Sequence, residues 1–549
     1  MEQQVSSAID RMRALKSWCM APMLLAAMMV LAPLSAHAQG IQPGTLITLP
    51  GGQVQGHLNG AREFLGIPYA APPTGDLRFR PPAPPAPWAG VLDASTFSSA
   101  CPQLASLTGT ASEDEDCLYL NVWAPDPAPA KPLPVMVWIH GGGNTVGSTG
   151  DFVPFPPYES YRLYNGDKLA ADRNVVVVSI NYRLGVFGFF GLTALATEDP
   201  QFPYAGNQGL LDQRAALQWV RDNILAFGGD PGNVTIFGES AGSWDVCAHV
   251  ASPLSSGLFH RAISESGGCT TGIATAQESD DTAASIASAV GCDGAPDVLA
   301  CLRAVPVATL LDAYGDFDIG SNRPQISVDG AFLPDHPMRL FDAGTFSHVP
   351  YILGANSDEG TLFFIGSTPI TTHEEYTAAL TARFGGLTPA IEALYPVTAF
   401  PSPQDALIRV VGDASLVCPT IDVARRVIAA KNRRTYVYNF ARVPPVAVVQ
   451  LLKLGAFHGS EIPYVFGSIP VPTEGDGLLS ARMQEYWTSF AKRGRTPRAT
   501  RSKAWPPFKS SNWQMLRLNA LVDATFIPKI RDFRRPECEF WTSVYESQN

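Results

Sequence analysis

Residues 238–242 read Gly-Glu-Ser-Ala-Gly and stand between the β-branched run VTIF and the helix-prone SWDVCAHVAS. Gly-x-Ser-x-Gly between a strand and a helix makes a sharp turn that lifts the serine side chain clear of a sheet. The glycines let neighbouring strands come close. Ser240 is therefore a candidate nucleophile. A serine hydroxyl attacks carbonyls poorly unless a base removes its proton. His458, in the loop sequence GAFHGSEIPYVFG, is the candidate base. That base needs an acid to hold its tautomer and stabilise the imidazolium. Glu359, in GANSDEG after the apolar YIL, is the candidate acid, with Asp358 beside it as the rival. His57, His249, His260, His336, His348 and His373 lack any such partner pattern and are read as structural or surface side chains.

Residues 138–143, Trp-Ile-His-Gly-Gly-Gly, close the apolar run VMVWI. Consecutive glycines let backbone N–H groups converge where side chains would block them. Such donors hold the oxygen that becomes negative in a tetrahedral intermediate. Ala241, directly after the nucleophile, supplies a further N–H. No Gly-Lys-Ser/Thr and no Gly-x-Gly-x-x-Gly occurs there, which removes the rival reading as a phosphate loop. Together these residues are equipped for acyl transfer through a serine, with no cofactor and no metal.

The elements that must position them follow from hydrophobic patterning. Residues 135–139, 175–182, 234–237, 351–353 and 435–440 read as buried strands. Residues 207–227 and 479–493 carry apolar side chains at helical spacing, the first stopped by Gly228 and Gly229. Strands alternating with helices predict an α/β chain, its central, mostly parallel sheet covered by helices on both faces. The proline-rich residues 71–88 are expected to pack as extended surface chain. No internal repeat or interdomain linker is seen, so residues 39–549 are expected to form a single catalytic domain. Residues 143–165 or 305–325 are the segments expected to cover the mouth of the site, and 270–345 and 385–450 those expected to carry specificity.

The chain has 549 residues, 46% of them hydrophobic and 16% charged, enough for a large core. Its formal charge of −11, with only 39 Lys and Arg, argues against nucleic-acid binding and against docking on anionic membranes. Arg11, Arg13 and Lys16 precede an uncharged apolar run ending near Leu34, and Ala36-His37-Ala38 supplies a small-x-small cleavage pattern. Residues 1–38 are thus expected to be a signal peptide cut after Ala38, delivering the protein to the periplasm or medium. No later stretch is long enough to span a bilayer. The exported chain keeps Cys101, Cys117, Cys247, Cys269, Cys292, Cys301, Cys418 and Cys538, an even set that reads as disulfides.

These motifs resemble those of the type-B carboxylesterases, the family of cholinesterases and carboxylesterases. The resemblance rests on eight blocks in order: 64–82, 115–125, 135–143, 181–189, 206–220, 227–243, 357–360 and 458–467. The order Ser240, Glu359, His458 is that of α/β-hydrolases. The resemblance implies the α/β-hydrolase fold with large loop insertions, and hydrolysis of small-molecule carboxylic esters. It implies Ser240 as nucleophile, Glu359 as acid, His458 as base, Gly142, Gly143 and Ala241 as oxyanion donors, and Glu239 as a carboxylate behind His458. It also implies an Arg78–Glu115 ion pair and bridges Cys101–Cys117, Cys292–Cys301 and Cys418–Cys538, with Cys247–Cys269 as a further candidate. A secreted lipase acting on longer-chain acylglycerols is the alternative. Two departures stand out. The loop 101–117 holds no aromatic residue, where cholinesterases carry the tryptophan that binds quaternary ammonium through cation–π contact. Asn144 stands where they carry an aromatic, either to bond substrate or to cap the turn.

Overall fold

Eleven strands form the central sheet of the computed structural model. The described residues are 40–106, 109–155, 158–198, 205–315, 326–495, 497–500, 504–519 and 528–548. The expected leader, residues 1–38, and the 316–325 part of one expected covering segment lie outside them. Ile41–Asn549 makes one compact unit.

In chain order the strands are β1 His57–Asn59, β2 Ala61–Pro68, β3 Tyr119–Ala124, β4 Leu133–Ile139, β5 Val176–Ile180 and β6 Gly229–Glu239. There follow β7 Arg261–Glu265, β8 Tyr351–Asn356, β9 Thr435–Phe440, β10 Met515–Leu518 and β11 Lys529–Ile530. Their order across the sheet is β11-β10-β9-β8-β7-β6-β4-β5-β3-β2-β1. From β5 to β10 every neighbouring pair is parallel, and β1, β2, β3 and β11 join antiparallel at the two edges.

The strands are apolar on both sides because both sides are covered. On β4, Val135, Val137 and Ile139 enter one core, while Met136 and Trp138 enter the other. The first core packs against α2 Gln208–Asn223, α3 Ala241–Ala251, α4 Cys418–Ala429 and α6 Arg535–Gln548; the second packs against α1 Asp167–Arg173 and α5 Glu474–Arg493. Helix α2 runs into a 3₁₀ turn at Ile224–Phe227, which Gly228 closes at φ 97°.

Four disulfides join Cys101–Cys117, Cys247–Cys269, Cys292–Cys301 and Cys418–Cys538. The second ties α3 to the chain that follows β7; the fourth ties α4 to α6. Residues 71–88 are less superficial than their composition suggests. Arg78 and Phe79 are buried, and Arg78 meets both Glu115 oxygens at 2.8 and 2.5 Å. Its remaining donors reach the carbonyls of Arg303 and Val305, so it pins this stretch to the lobe held by Cys292–Cys301. Within 143–165 lies an antiparallel hairpin, Phe152–Phe155 with Tyr158–Arg162. Among the described residues no helix is long and apolar enough to cross a membrane.

Candidate active site

Strand β6 delivers Ser240 at its carboxyl end. The backbone there turns to φ 58° and ψ −123°, and α3 starts at the next residue. A non-glycine residue in this region is strained, and packing must hold it there. The Ser240 N–H donates to the Glu265 carbonyl at 2.9 Å, tying the turn to β7. The glycines on either side are sterically required. A Cβ on Gly242 would lie 2.1 Å from the Ile139 carbonyl oxygen, and one on Gly238 2.6 Å from it.

His458 stands between the other two candidates. Its Nδ1 is 2.7 Å from Glu359 Oε2 and its Nε2 is 2.7 Å from Ser240 Oγ. Glu359 opens the 3₁₀ turn Glu359–Phe364 just beyond β8, and its Oε1 accepts from the Asn356 N–H at 2.6 Å. Strand β8 runs past the expected 351–353 to Asn356, which brings Glu359 to the site. Asp358 turns elsewhere. Its carboxylate accepts from Ala456 N at 2.9 Å and lies 3.3 Å from Arg409, which fixes the chain leading into His458.

Glu239, the residue before Ser240, puts Oε1 3.3 Å from His458 Nε2. Two further buried glutamates, which sequence reasoning missed, complete a layer of buried carboxyls with Glu239. Glu461 accepts from Ser266 Oγ at 3.0 Å and from Asn356 Nδ2 at 2.5 Å. Glu265 accepts from Trp487 Nε1 at 2.8 Å. Glu461 sits three residues after His458 in a block already singled out, and that spacing was the available signal.

Burial pushes Glu239 up to about 8 and Glu461 up to about 7, Glu359 adding to the second, and drives Glu265 well above the carboxylate range. Burial alone would depress His458, but Glu239 and then Glu359 outweigh it and raise the imidazole above its ordinary value.

The glycine loop passes directly over Ser240. A Cβ on Gly141 would lie 3.0 Å from Ser240 Cβ. Gly142 and Gly143 have φ 102° and 64°, a region that favours glycine. The Gly142 carbonyl accepts from Val146 N at 3.0 Å, closing the loop into a turn. Ala241 is the first residue of α3, where N–H groups point out of the helix without an intrahelical acceptor. The structure thus gathers Ser240, His458, Glu359, Glu239, Ala241 and the glycine loop at one end of the sheet. Asn144 does not join them: it is buried and bonded to Asp245 and Tyr182. Among the described residues no group of three or more His, Cys, Asp or Glu is arranged to hold a metal ion.

The carboxylesterase-family model matches residues 43–541. A para-nitrobenzyl esterase of Bacillus subtilis (strain 168) is 36% identical over 507 residues, covering 87% of this chain and 95% of the relative. An acetylcholinesterase of Bungarus fasciatus is 36% identical over 535 residues, covering 89% of this chain and 83% of the relative. With matches of this extent laid over an α/β sheet that carries its serine at a strand-to-helix turn, the chain belongs to the carboxylesterase family and is a serine hydrolase of carboxylic esters.

Proposed function

We propose that this chain is an exported carboxylesterase that works through an acyl-enzyme on Ser240, with His458 as base and Glu359 as acid. The observation that carries the assignment is His458 placed 2.7 Å from both partners, one through each ring nitrogen. The His458 Nε2 takes the Ser240 proton as Oγ adds to the ester carbonyl carbon, and the carbonyl electrons pass to oxygen. The N–H groups of Gly142, Gly143 and Ala241 hold that oxygen. Collapse of the intermediate expels the alcohol, which leaves with the proton from His458. Water repeats the sequence on the acyl-enzyme and frees the acid. Export rests on the leader read at residues 1–38 and is supported by four disulfides, which persist in oxidising compartments. Residues 39–549 act as one catalytic domain.

Labelling with a fluorophosphonate, followed by peptide mapping, tests the nucleophile: the adduct is expected on Ser240, and an adduct on another residue refutes the assignment. A panel of p-nitrophenyl esters of increasing acyl length then measures the substrate range. One observation favours the lipase reading as the alternative. The segment that leads into His458 exposes Val443, Val448, Leu451 and Leu452, with Leu451 80% exposed. Faster turnover of an emulsified triglyceride than of the soluble esters would select that reading.

The pH profile follows from the carboxyl layer. Only neutral His458 accepts the serine proton, so activity rises with pH as the imidazole loses its charge. Because Glu239 and Glu359 raise that group, the inflection is expected above the ordinary imidazole value of about 6.5. Glu239→Gln removes the larger upward influence, and the inflection should move down by about one pH unit. An unmoved inflection would show that Glu239 does not tune the base.

A further inference from the structure

The oxyanion donors come from two separate stretches of chain, the loop 141–143 and the start of α3. They must converge on a single oxygen to be useful. One buried side-chain pair crosses between these stretches. Asn144, next to Gly143, donates through Nδ2 to Asp245 Oδ1 at 2.9 Å, and Asp245 lies one turn into α3. Both residues have no exposed surface. Asn144 also has φ 54°, a left-handed conformation that the contact helps to hold.

The pair is part of a longer buried chain of hydrogen bonds. Asp245 Oδ2 accepts from Gln213 Nε2 at 2.6 Å, which leaves Gln213 Oε1 facing His249 Nε2 at 2.9 Å. His249 Nδ1 lies 2.7 Å from Ser255 Oγ. Asp245, accepting through both oxygens, orients this series. It takes the Gln213 amide N–H, the Gln213 carbonyl takes the His249 Nε2–H, and Nδ1 is left to accept from Ser255. Burial keeps His249 neutral, as that order requires. On the other side, the Tyr182 hydroxyl lies 3.0 Å from Asn144 Oδ1 and 2.8 Å from the His140 carbonyl, the residue that opens the glycine loop.

We infer that Asn144 and Asp245 are positioning residues for the oxyanion hole, locking the Gly142 and Gly143 donors in register with the Ala241 donor. This inference rests on the proposed reading of Ser240 and the glycine loop. Neither side chain touches the reacting atoms; each acts through the backbone beside it.

The test compares Asp245→Asn, Asn144→Gly and the exchanged pair Asn144→Asp with Asp245→Asn. Glycine accepts the left-handed backbone at 144, so this variant keeps the loop conformation accessible while deleting the contact. The exchanged pair rebuilds every bond with the carboxyl group on the other side. The aspartate then at position 144 accepts from the asparagine amide at position 245 and from Tyr182, and the asparagine oxygen accepts from Gln213. Two readouts are taken below the thermal midpoint of each variant. One is kcat and KM on an activated ester. The other is the affinity ratio of an alkyl trifluoromethyl ketone to its methyl ketone. The fluorinated ketone adds Ser240 Oγ to its carbonyl carbon, passes the serine proton to His458 and places an oxyanion in the hole.

Losing one oxyanion donor costs about 100- to 1000-fold, so displaced donors should lower kcat and the affinity ratio together by about 10- to 100-fold, with KM little changed. The exchanged pair should recover most of both. An unchanged ratio in the single variants, or an exchanged pair that regains its thermal midpoint but not the ratio, overturns the inference. Ser240→Ala is assayed alongside. If it stays active the reading of the site fails; if it is inactive while the ratio is unmoved, only the role of the pair fails.

Discussion

Ser240→Ala will lower kcat on an activated ester by about 10⁴-fold or more while the protein stays folded. The substitution deletes a half-buried hydroxyl whose side-chain partner is His458 Nε2 at 2.7 Å, and opens no cavity larger than one oxygen atom. Alanine inherits the φ 58° that serine already tolerates, so the turn carries the same strain as before. What disappears is the covalent route. Water must then attack the bound ester directly, assisted only by the oxyanion donors. His458→Ala should cost about as much, because a serine without a base is nearly as inert as no serine. The double variant should be no worse than either single one, since parts of one machine do not add. The measurement is steady-state turnover on p-nitrophenyl acetate, with circular dichroism and thermal unfolding as controls. A folded Ser240→Ala variant with wild-type turnover ends the assignment, and losses that multiply in the double variant would mean that the two residues act separately.

What could be read from the sequence was what local chemistry dictates. Ser240 was legible because a strand-to-helix turn demands glycines at fixed positions, and the carbonyls within 2.6 Å of any Cβ there are the reason. Alternating strand patterns were legible where both cores are apolar, as on β4. Element ends were less so: β6 begins at Gly229, because a backbone ladder can pair Gly229 with Leu133 without any apolar side chain, then breaks register until Val234. The hairpin at 152–162 was hidden by prolines within FVPFPPY. The parts of the site that escaped notice are long-range. Glu461 and Glu265 take their meaning from Asn356, Ser266 and Trp487, which the fold brings in from distant positions. Asn144 was left with two open roles for the same reason: its partner Asp245 is 101 residues away, and only the fold shows that its side chain turns inward to Asp245 and Tyr182.

Glu359→Gln should be nearly as damaging as loss of the nucleophile, about 10⁴-fold in kcat, although it changes one oxygen to a nitrogen. The argument is one of donors and acceptors. Glu359 Oε1 accepts from the Asn356 N–H at 2.6 Å, and Oε2 faces His458 Nδ1 at 2.7 Å. The side chain is buried, so neither contact can be exchanged for water. Glutamine has a single carbonyl oxygen. If that oxygen stays on Asn356, the amide NH₂ faces Nδ1, which must then be the bare nitrogen. The ring proton moves to Nε2, and Nε2 can no longer accept from Ser240. If the amide flips, the NH₂ meets the Asn356 N–H and leaves two buried donors face to face, an arrangement that costs more than a lost hydrogen bond. The first state is therefore favoured, and it holds the base in the wrong tautomer. Ground-state binding is untouched, so KM should change little while kcat falls. The carboxylate that stabilises the imidazolium is lost as well, so raising the pH should not recover the rate. Asp358→Asn is the comparison that gives the experiment its discrimination. Asp358 pairs with Arg409 and Ala456 N rather than with the imidazole, so its loss should be far milder. An active Glu359→Gln variant beside an inactive Asp358→Asn variant would exchange the two roles.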